Sequence, residues 1–224
     1  DCETVKIAIG DGGEGSLDSV LGSGFTAHSV DVLGPLGNPV TAKIAIKGET
    51  AFIEMAQASG LSQLPGGRKD ALDASSFGTG QLILAALDKG ARKIILAIGG
   101  TATTDAGAGA LQALGAKLLD TAGNEIALGG AALRACASID TSVLDARLAR
   151  VSFTLASDVT NPLLGEFGAA RVFSPQKGAT PEQVELLEQS LSHFASLVGG
   201  SYASMPGAGA VTGSPSGGRR RSRA

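Results

Sequence analysis

Residues 93–105 read KIILAIGGTATTD, and this stretch decides the fold class. Its aliphatic part is long enough for one buried β-strand, and a Gly-Gly pair followed by three threonines ends that strand. Residues 106–114 have a helix-like composition and stop at Gly115, a common helix terminator. A strand, a glycine-rich polar loop and a helix in this order predict an α/β fold.

Three further segments repeat the order of an aliphatic run and a polar loop: residues 5–9 with 11–15, residues 151–156 with 157–162, and residues 170–173 with 174–178. We expect each aliphatic run to form a strand. Ligands of open α/β sheets bind outside the carboxyl ends of the strands. The four loops are therefore expected to converge on one site.

The best-marked helix begins at Pro181, which suits the first helical position. Thr180 and Gln183 have the spacing of a capping box, and apolar residues then recur at helical spacing as far as Leu197. A second helix is predicted over residues 79–89, because its apolar side chains share one side and a glycine follows.

Residues 28–58 show the alternation typical of strands, with turns predicted at residues 34–38 and 47–48. A hairpin-like β section therefore interrupts the α/β series. We predict an α/β fold with two lobes. One lobe has Rossmann- or flavodoxin-like parallel units, and a smaller β-rich lobe contains residues 28–58.

Composition narrows the class of protein. The chain has 224 residues, of which 43% are hydrophobic, so it can form a buried core. No apolar run approaches the roughly 18 residues of a membrane span, and the first residues lack the pattern of a secretory signal. The two cysteines, Cys2 and Cys136, fit neither a disulfide nor a metal pattern. We therefore expect a cytoplasmic enzyme with no membrane partner.

The last 18 residues, 207–224, form a low-complexity tail rich in Gly, Ser and Arg, which we expect to be disordered. The tail holds four arginines and no acid, so the net charge of −3 hides a charge of −7 on the rest of the chain. That negative charge disfavours the binding of polyanions, so no nucleic-acid partner is expected. The alternative is an arginine-tail nucleic-acid binder, which would show strongly salt-dependent DNA binding.

Residues 99–105, hereafter the threonine loop, are a candidate phosphate site. Glycine lets the backbone approach a ligand, and free N–H groups at the start of the next helix favour an anion. Thr101, Thr103 and Thr104 add hydroxyl groups, and Lys177 lies in another of the four loops. The alternatives are a tight turn in which Asp105 caps a helix, and an ordinary surface lysine.

Carboxylates form a second group of candidates. Asp11 and Glu14 share one glycine-rich loop, and Asp158 follows a predicted strand. Near a bound phosphate they would hold Mg²⁺ or accept a proton from a substrate hydroxyl. The alternative for residues 158–162 is a helix capped by Asn161. P-loop and G-x-S-x-G motifs are absent, so the residues indicate an anionic small-molecule site, with phosphoryl transfer as one option.

Eight motifs follow one another along the chain: DGGEGS (11–16), GPLG (34–37), TAFIEMAQASGL (50–61), SFGTG (76–80), GGTATTDAGAG (99–109), DVTNPLL (158–164), PQKGA (175–179) and PGAGA (206–210). Together they resemble the motifs of one family, the type I glycerate kinases of bacteria, over about residues 2–210. The resemblance implies a two-domain α/β enzyme with its active site between the domains, of which residues 1–206 would form the central part.

Five positions depart from the family pattern within this range. Thr101 stands for the usual Ser, Thr104 for Asn, Ala106 for Gly, Ser157 for Cys and Lys69 for Arg. The change at Lys69 removes a guanidinium that could make a bidentate contact with a carboxylate.

The family pattern begins before the first residue, with a strand and a loop, and continues after residue 210 with further α/β units. We therefore expect a truncated or frame-shifted member, incomplete at both ends and poorly stable or inactive alone. The alternative to an active enzyme is a catalytically inactive fragment or pseudogene product that retains a phosphate or small-anion site.

The resemblance implies ATP-dependent phosphorylation of D-glycerate to 2- or 3-phosphoglycerate with Mg²⁺, and it leaves a homo-oligomer open. The implied catalytic residues are Asp11, Glu14 and Asp158, of which Asp11 and Asp158 also bind the metal. The implied phosphate-binding residues are Gly99, Gly100, Thr101, Thr103, Asp105 and Lys177. The implied substrate-binding residues are Arg68, Lys69, Ser76, Thr160 and Asn161.

Overall fold

A mixed β-sheet organises the computed structural model, which describes residues 14–157, 159–199, 203–205 and 207–209. Its strands lie in the order β1 (Thr26–Leu33), β2 (Pro39–Lys47), β3 (Thr50–Glu54), β4 (Lys93–Ala97) and β7 (Ser152–Ala156). The first three are antiparallel neighbours, whereas β3, β4 and β7 run parallel. Strands β5 (Lys117–Leu119) and β6 (Ser138–Asp140) form a separate antiparallel pair. The predicted α/β class is confirmed.

Helices connect and cover these strands. The α-helices are α1 (Ser16–Leu21), α2 (Ala56–Ser59), α3 (Phe77–Asp88), α4 (Ala108–Ala113), α5 (Ala169–Phe173) and α6 (Pro181–Val198). Short 3₁₀ helices lie at Leu61–Gln63, Pro65–Gly67, Gly130–Ala135, Ala146–Arg150 and Pro175–Lys177. Helix α3 confirms the helix predicted over residues 79–89.

Helix α6 begins as its sequence predicts. The Thr180 hydroxyl accepts a hydrogen bond from the Gln183 N–H at 3.3 Å, and the Gln183 side-chain oxygen accepts one from the Thr180 N–H at 2.9 Å. The capping box thus satisfies two backbone donors at the helix start. Leu187, Leu191 and Phe194 bury the apolar side of α6 against other elements.

The two faces of the sheet carry different apolar layers, because successive strand residues point to opposite sides. Ile44, Ile53 and Ile94 pack with the buried leucines of α3 on one face. On the other face, Leu17 of α1 packs with a second set: Ala45, Phe52 and Ala97. Both layers therefore fix where the ends of β3 and β4 lie.

Three local predictions need correction. Residues 170–173 were expected as a strand but lie in α5, since a four-residue apolar run cannot distinguish strand from helix and Arg171 pairs with Glu185 of α6. The alternative of a helix capped by Asn161 is not found, because the described residues 162–168 contain no helix and α5 begins only at Ala169. Helix α4 begins only at Ala108, because Ala106 and Gly107 have positive φ angles of 51° and 67°.

Strands β1 to β3 extend the same sheet that contains β4 and β7. The division into two lobes stays a prediction. The strand expected at residues 5–9 lies outside the described residues, as do residues 210–224 of the tail expected at 207–224. Residues 207–209 of that tail form a turn, in which the Gly207 and Gly209 N–H groups donate to the carbonyls of Thr160 and Asn161. Among the helices that the structure describes, none combines the length and apolar content needed to cross a bilayer.

Candidate functional site

The candidate site lies at the carboxyl ends of the three parallel strands. Glu54 of β3 pairs in register with Ala97 of β4, and Ala97 pairs with Ala156 of β7. The chain leaves β4 into the threonine loop and leaves β7 toward residues 157–162. Two of the predicted loops therefore leave neighbouring strand ends. The loop at residues 174–178 instead follows helix α5, so it does not leave a strand.

Backbone hydrogen bonds fix the first half of the threonine loop. The Leu61 N–H donates to the Gly100 carbonyl at 3.1 Å, and the Ala102 N–H donates to the Ser59 carbonyl at 2.8 Å. Thr101 forms an isolated β-bridge with Gly60 between these two bonds. The loop is thus laid against residues 59–61, while Gly100, with φ of 71°, remains exposed.

Two threonine hydroxyls in this loop are buried without a hydrogen-bond partner. Thr103 is 3% exposed and Thr104 is 2% exposed. In the described part of the chain, neither hydroxyl oxygen has a donor or acceptor within reach. A buried hydroxyl without a partner destabilises the fold by about 1–3 kcal/mol. Such groups are rare in folded proteins, and a bound ion or ligand that completes the hydrogen bonding is one explanation for them.

Asp105 and Ser76 form a buried polar network below the loop. The Asp105 carboxylate accepts hydrogen bonds from the Ser76 N–H and hydroxyl, both at 2.8 Å, and from the N–H groups of Gly107 and Gly109 at 3.2 Å. The Ser76 hydroxyl also accepts a bond from the Ala110 N–H at 3.0 Å. These bonds join the start of α3 to the start of α4. The geometry favours the alternative reading of Asp105 as a capping residue.

Lys177 brings the loop at residues 174–178 to the threonine loop. Its side chain is only 7% exposed, and Nζ donates a hydrogen bond to the Thr103 carbonyl. Burial lowers the pKa of Lys177 to about 8, while the nearby negative charge of Asp105 acts in the opposite direction. Lys177 is therefore not an ordinary surface lysine. Its ammonium group carries three donors, of which Thr103 takes one.

Lys69 lies beside the same loop. Gly178, with φ of 97°, is so close that a Cβ added there would lie 2.7 Å from the Lys69 Cβ. The neighbouring Arg68 is exposed and pairs with Asp70 at 3.3 Å. Of the two cationic residues expected to bind substrate, Lys69 is thus the one packed against the loop that carries Lys177.

Glu14 lies next to Gly100 of the threonine loop. A Cβ built on Gly100 would lie 3.8 Å from the Cβ and backbone nitrogen of Glu14, so the two residues face each other. Glu14 is exposed, as expected for a carboxylate that meets a ligand. Asp11 and Asp158, the other two candidate carboxylates, lie outside the described residues.

Glu54 is a residue of this region that sequence reasoning missed. It is fully buried at the end of β3, and its carboxylate accepts hydrogen bonds from the N–H groups of Gly15 and Leu17, each at 2.9 Å. The available signal was a charged residue at the end of an otherwise apolar strand, TAFIE. A buried charge of this kind requires partners.

Thr160 and Asn161 make contacts with their own part of the chain. The Thr160 carbonyl accepts a hydrogen bond from the Gly207 N–H at 3.0 Å, and the Asn161 side chain donates to the Phe167 carbonyl at 2.9 Å. The Thr160 side chain remains exposed. The structure thus brings together Glu14, the threonine loop and Lys177, with Lys69 at the border of that group.

Comparison with known proteins identifies the family. The family model "Glycerate kinase family" matches residues 1–219. The chain is 47% identical to glycerate 2-kinase of Escherichia coli (strain K12), over 95% of this chain and 58% of that protein. It is 48% identical to glycerate kinase of Bacillus subtilis (strain 168), over 93% of this chain and 56% of that protein.

A crystal structure of a Salmonella typhimurium LT2 protein described as a glycerate kinase superposes with a TM-score of 0.88 at 47% identity, covering 95% of this chain and 59% of the other. The chain thus spans less than two thirds of the length of the relatives it matches. Sequence motifs, family model and fold all agree, and the chain belongs to the glycerate kinase family.

Proposed function

We propose that this protein transfers the γ-phosphoryl group of ATP to a hydroxyl of D-glycerate, giving 2- or 3-phosphoglycerate. The observation that carries the proposal is the buried, unpartnered pair of hydroxyls on Thr103 and Thr104, beside a buried ammonium group. A phosphoryl group offers the acceptor oxygens that these donors lack. The names of the relatives from Escherichia coli and Bacillus subtilis support the same activity.

The residues present fit a Mg²⁺ ion bound together with ATP. Mg²⁺ takes hard oxygen ligands, usually one or two carboxylates along with substrate phosphates and waters. Glu14 offers an exposed carboxylate next to Gly100. Within the described ranges no group of three or more His, Cys, Asp or Glu side chains gathers. We propose Asp11 and Asp158 as further ligands.

The chain's own residues would divide the work of phosphoryl transfer. The Thr103 and Thr104 hydroxyls would donate to phosphoryl oxygens, and Lys177 would hold Thr103 while lending positive charge. Glu14, Asp11 or Asp158 would accept the proton of the attacking glycerate hydroxyl. Bound Mg²⁺ would neutralise charge on the phosphates.

The glycerate carboxylate needs a cationic or donor-rich contact. We propose Lys69 for this role because it packs against Gly178, with Arg68, Thr160 and Asn161 as further candidates. For Ser76, predicted as a substrate-binding residue, we propose a scaffold role instead, because its hydroxyl donates to Asp105 and accepts from the Ala110 N–H. A cytoplasmic location and a homo-oligomeric state remain part of the proposal.

The role of the two unpartnered hydroxyls in phosphate binding can be tested with the variants Thr104→Val and Thr103→Val. Valine has nearly the shape of threonine and removes only the hydroxyl, so each variant should be as stable as the wild type or slightly more stable. The D-glycerate-dependent release of ADP should nevertheless fall about tenfold to a hundredfold in kcat/KM. Thr154→Val, on the exposed side of β7, is the matched control. Unchanged kinetics in both loop variants would contradict the proposed phosphate site.

A further inference from the structure

Glu54 is a buried carboxylate with a geometry that the reaction outlined above does not use. It is 0% exposed at the last position of β3. Its two oxygens accept hydrogen bonds from two different backbone donors, Gly15 N–H through Oε1 and Leu17 N–H through Oε2, each at 2.9 Å. One oxygen therefore fixes the turn that precedes α1, and the other fixes the first turn of that helix.

Helix α1 depends on an outside acceptor at its start. Its N-cap residue is Gly15, with φ of 90°, and no side-chain hydrogen bond from that position caps the helix. Helix starts carry backbone donors that need acceptors, and a six-residue helix has little stability of its own. The Glu54 carboxylate supplies a charged acceptor there, and Leu17 adds an apolar anchor against the sheet.

The turn held by Glu54 carries Glu14. Gly100 faces Glu14 closely enough that a Cβ on the glycine would lie 3.8 Å from the Glu14 Cβ. Glu54 also pairs in register with Ala97, the last residue of the strand that leads into the threonine loop. One residue thus joins the turn with the candidate carboxylate to the strand that carries the candidate phosphate loop.

We infer that Glu54 is a positioning residue, which holds Glu14 opposite Gly100 by binding two backbone N–H groups, that of Gly15 in the turn and that of Leu17 at the start of α1. The expected effect of Glu54 on phosphoryl transfer rests on the proposed function. The placement of Glu14 by Glu54 does not depend on that function. Glu54 contacts no substrate in this scheme and acts only through Glu14.

The first test measures geometry with Glu54→Gln. Glutamine keeps the shape and one acceptor, but its NH₂ group meets one of the two backbone donors. Amide hydrogen exchange at Gly15 or Leu17 should become about tenfold to a hundredfold faster, since a charge-assisted bond is lost. The nuclear Overhauser contact between Gly100 Hα and the Glu14 side chain should weaken. Glu49→Gln, an exposed glutamate just before β3, is the matched control and should change neither signal.

The second test measures coupling through kinetics. Glu54→Gln should lower kcat/KM for phosphoryl transfer. The double variant Glu54→Gln/Glu14→Gln should have the same kcat/KM as Glu14→Gln alone. A purely structural role predicts additive losses in the double variant instead. Additive losses would overturn the inference.

The two tests separate failure of the inference from failure of the proposed function. If the wild type transfers no phosphoryl group, the proposed function fails, and the exchange and Overhauser signals still decide whether Glu54 positions Glu14. If Glu54→Gln does not fold, amide exchange and nuclear Overhauser measurements on the wild type test the inference instead. Fast exchange at both Gly15 and Leu17, or no contact between Gly100 and Glu14, would overturn the inference.

Discussion

Lys177 gives the sharpest prediction about stability, because its ammonium group is buried and still charged near neutral pH. Its side chain is 7% exposed and donates to the Thr103 carbonyl. Burial lowers the pKa of Lys177 from its ordinary value of 10.5 to about 8. The unfolded chain has an exposed lysine with an ordinary pKa. Folded and unfolded states therefore bind different numbers of protons between about pH 8 and 10.5.

The sign follows from proton counting. Below about pH 8 both states carry the Lys177 proton, and the folded state bears the full cost of burying the charge. Between about pH 8 and 10.5 the unfolded state binds one more proton than the folded state, so stability rises with pH. At about 1.4 kcal/mol for each pH unit, the rise is about 3 kcal/mol over this range.

The perturbation is Lys177→Met, which keeps the length of the side chain and removes the charge. The free energy of unfolding should be measured by urea titration with far-UV circular dichroism, because the chain has no tryptophan to follow by fluorescence. Wild type should gain about 3 kcal/mol relative to Lys177→Met between pH 8 and 10.5. Lys89→Met, at an exposed lysine, should run parallel to wild type. Parallel curves for Lys177→Met and wild type would refute the buried-charge reasoning.

Three further substitutions test the scaffold of the site. Ala106→Gly should stabilise the protein by about 1 kcal/mol, because Ala106 has φ of 51°, which glycine adopts without strain. Ala113→Gly, at the last residue of α4 where φ is negative, is the control and should not stabilise the protein. A lower melting temperature for Ala106→Gly would contradict the assigned strain. Asp105→Asn should destabilise by about 2 kcal/mol or more, since an NH₂ group would face backbone donors, and unchanged urea midpoints would argue against the buried network. Thr180→Ala should cost about 1 kcal/mol through loss of the cap, measured by thermal melting, and no change would mean that α6 does not need it.

Elements with local signals were predictable from sequence. The capping box of Thr180 and Gln183 spans four consecutive residues, and the structure has it in place. The strands of residues 26–54 follow from alternation and turn residues, which also act over short distances. The threonine loop follows an aliphatic strand in both the sequence prediction and the structure.

Contacts between distant residues could not be read from local patterns. Glu54 meets Leu17 across 37 positions, and Lys177 meets Thr103 across 74. Only the assembled sheet brings these groups together. Helix α5 could not be predicted for another reason. Its short apolar run is compatible with either a strand or a helix, and its helical form depends on packing beside α6. The unpartnered hydroxyls of Thr103 and Thr104 likewise depend on burial, which no local pattern specifies.

The most direct test of the proposed activity is phosphorus NMR of the protein with Mg-ATP and D-glycerate. Phosphoryl transfer predicts loss of the γ-phosphate signal, formation of ADP and a new phosphomonoester signal whose position shows whether the 2- or 3-hydroxyl was phosphorylated. The new signal should need both D-glycerate and Mg²⁺. ATP hydrolysis to inorganic phosphate alone, or no change in the ATP signals, would contradict the proposal that this protein phosphorylates D-glycerate.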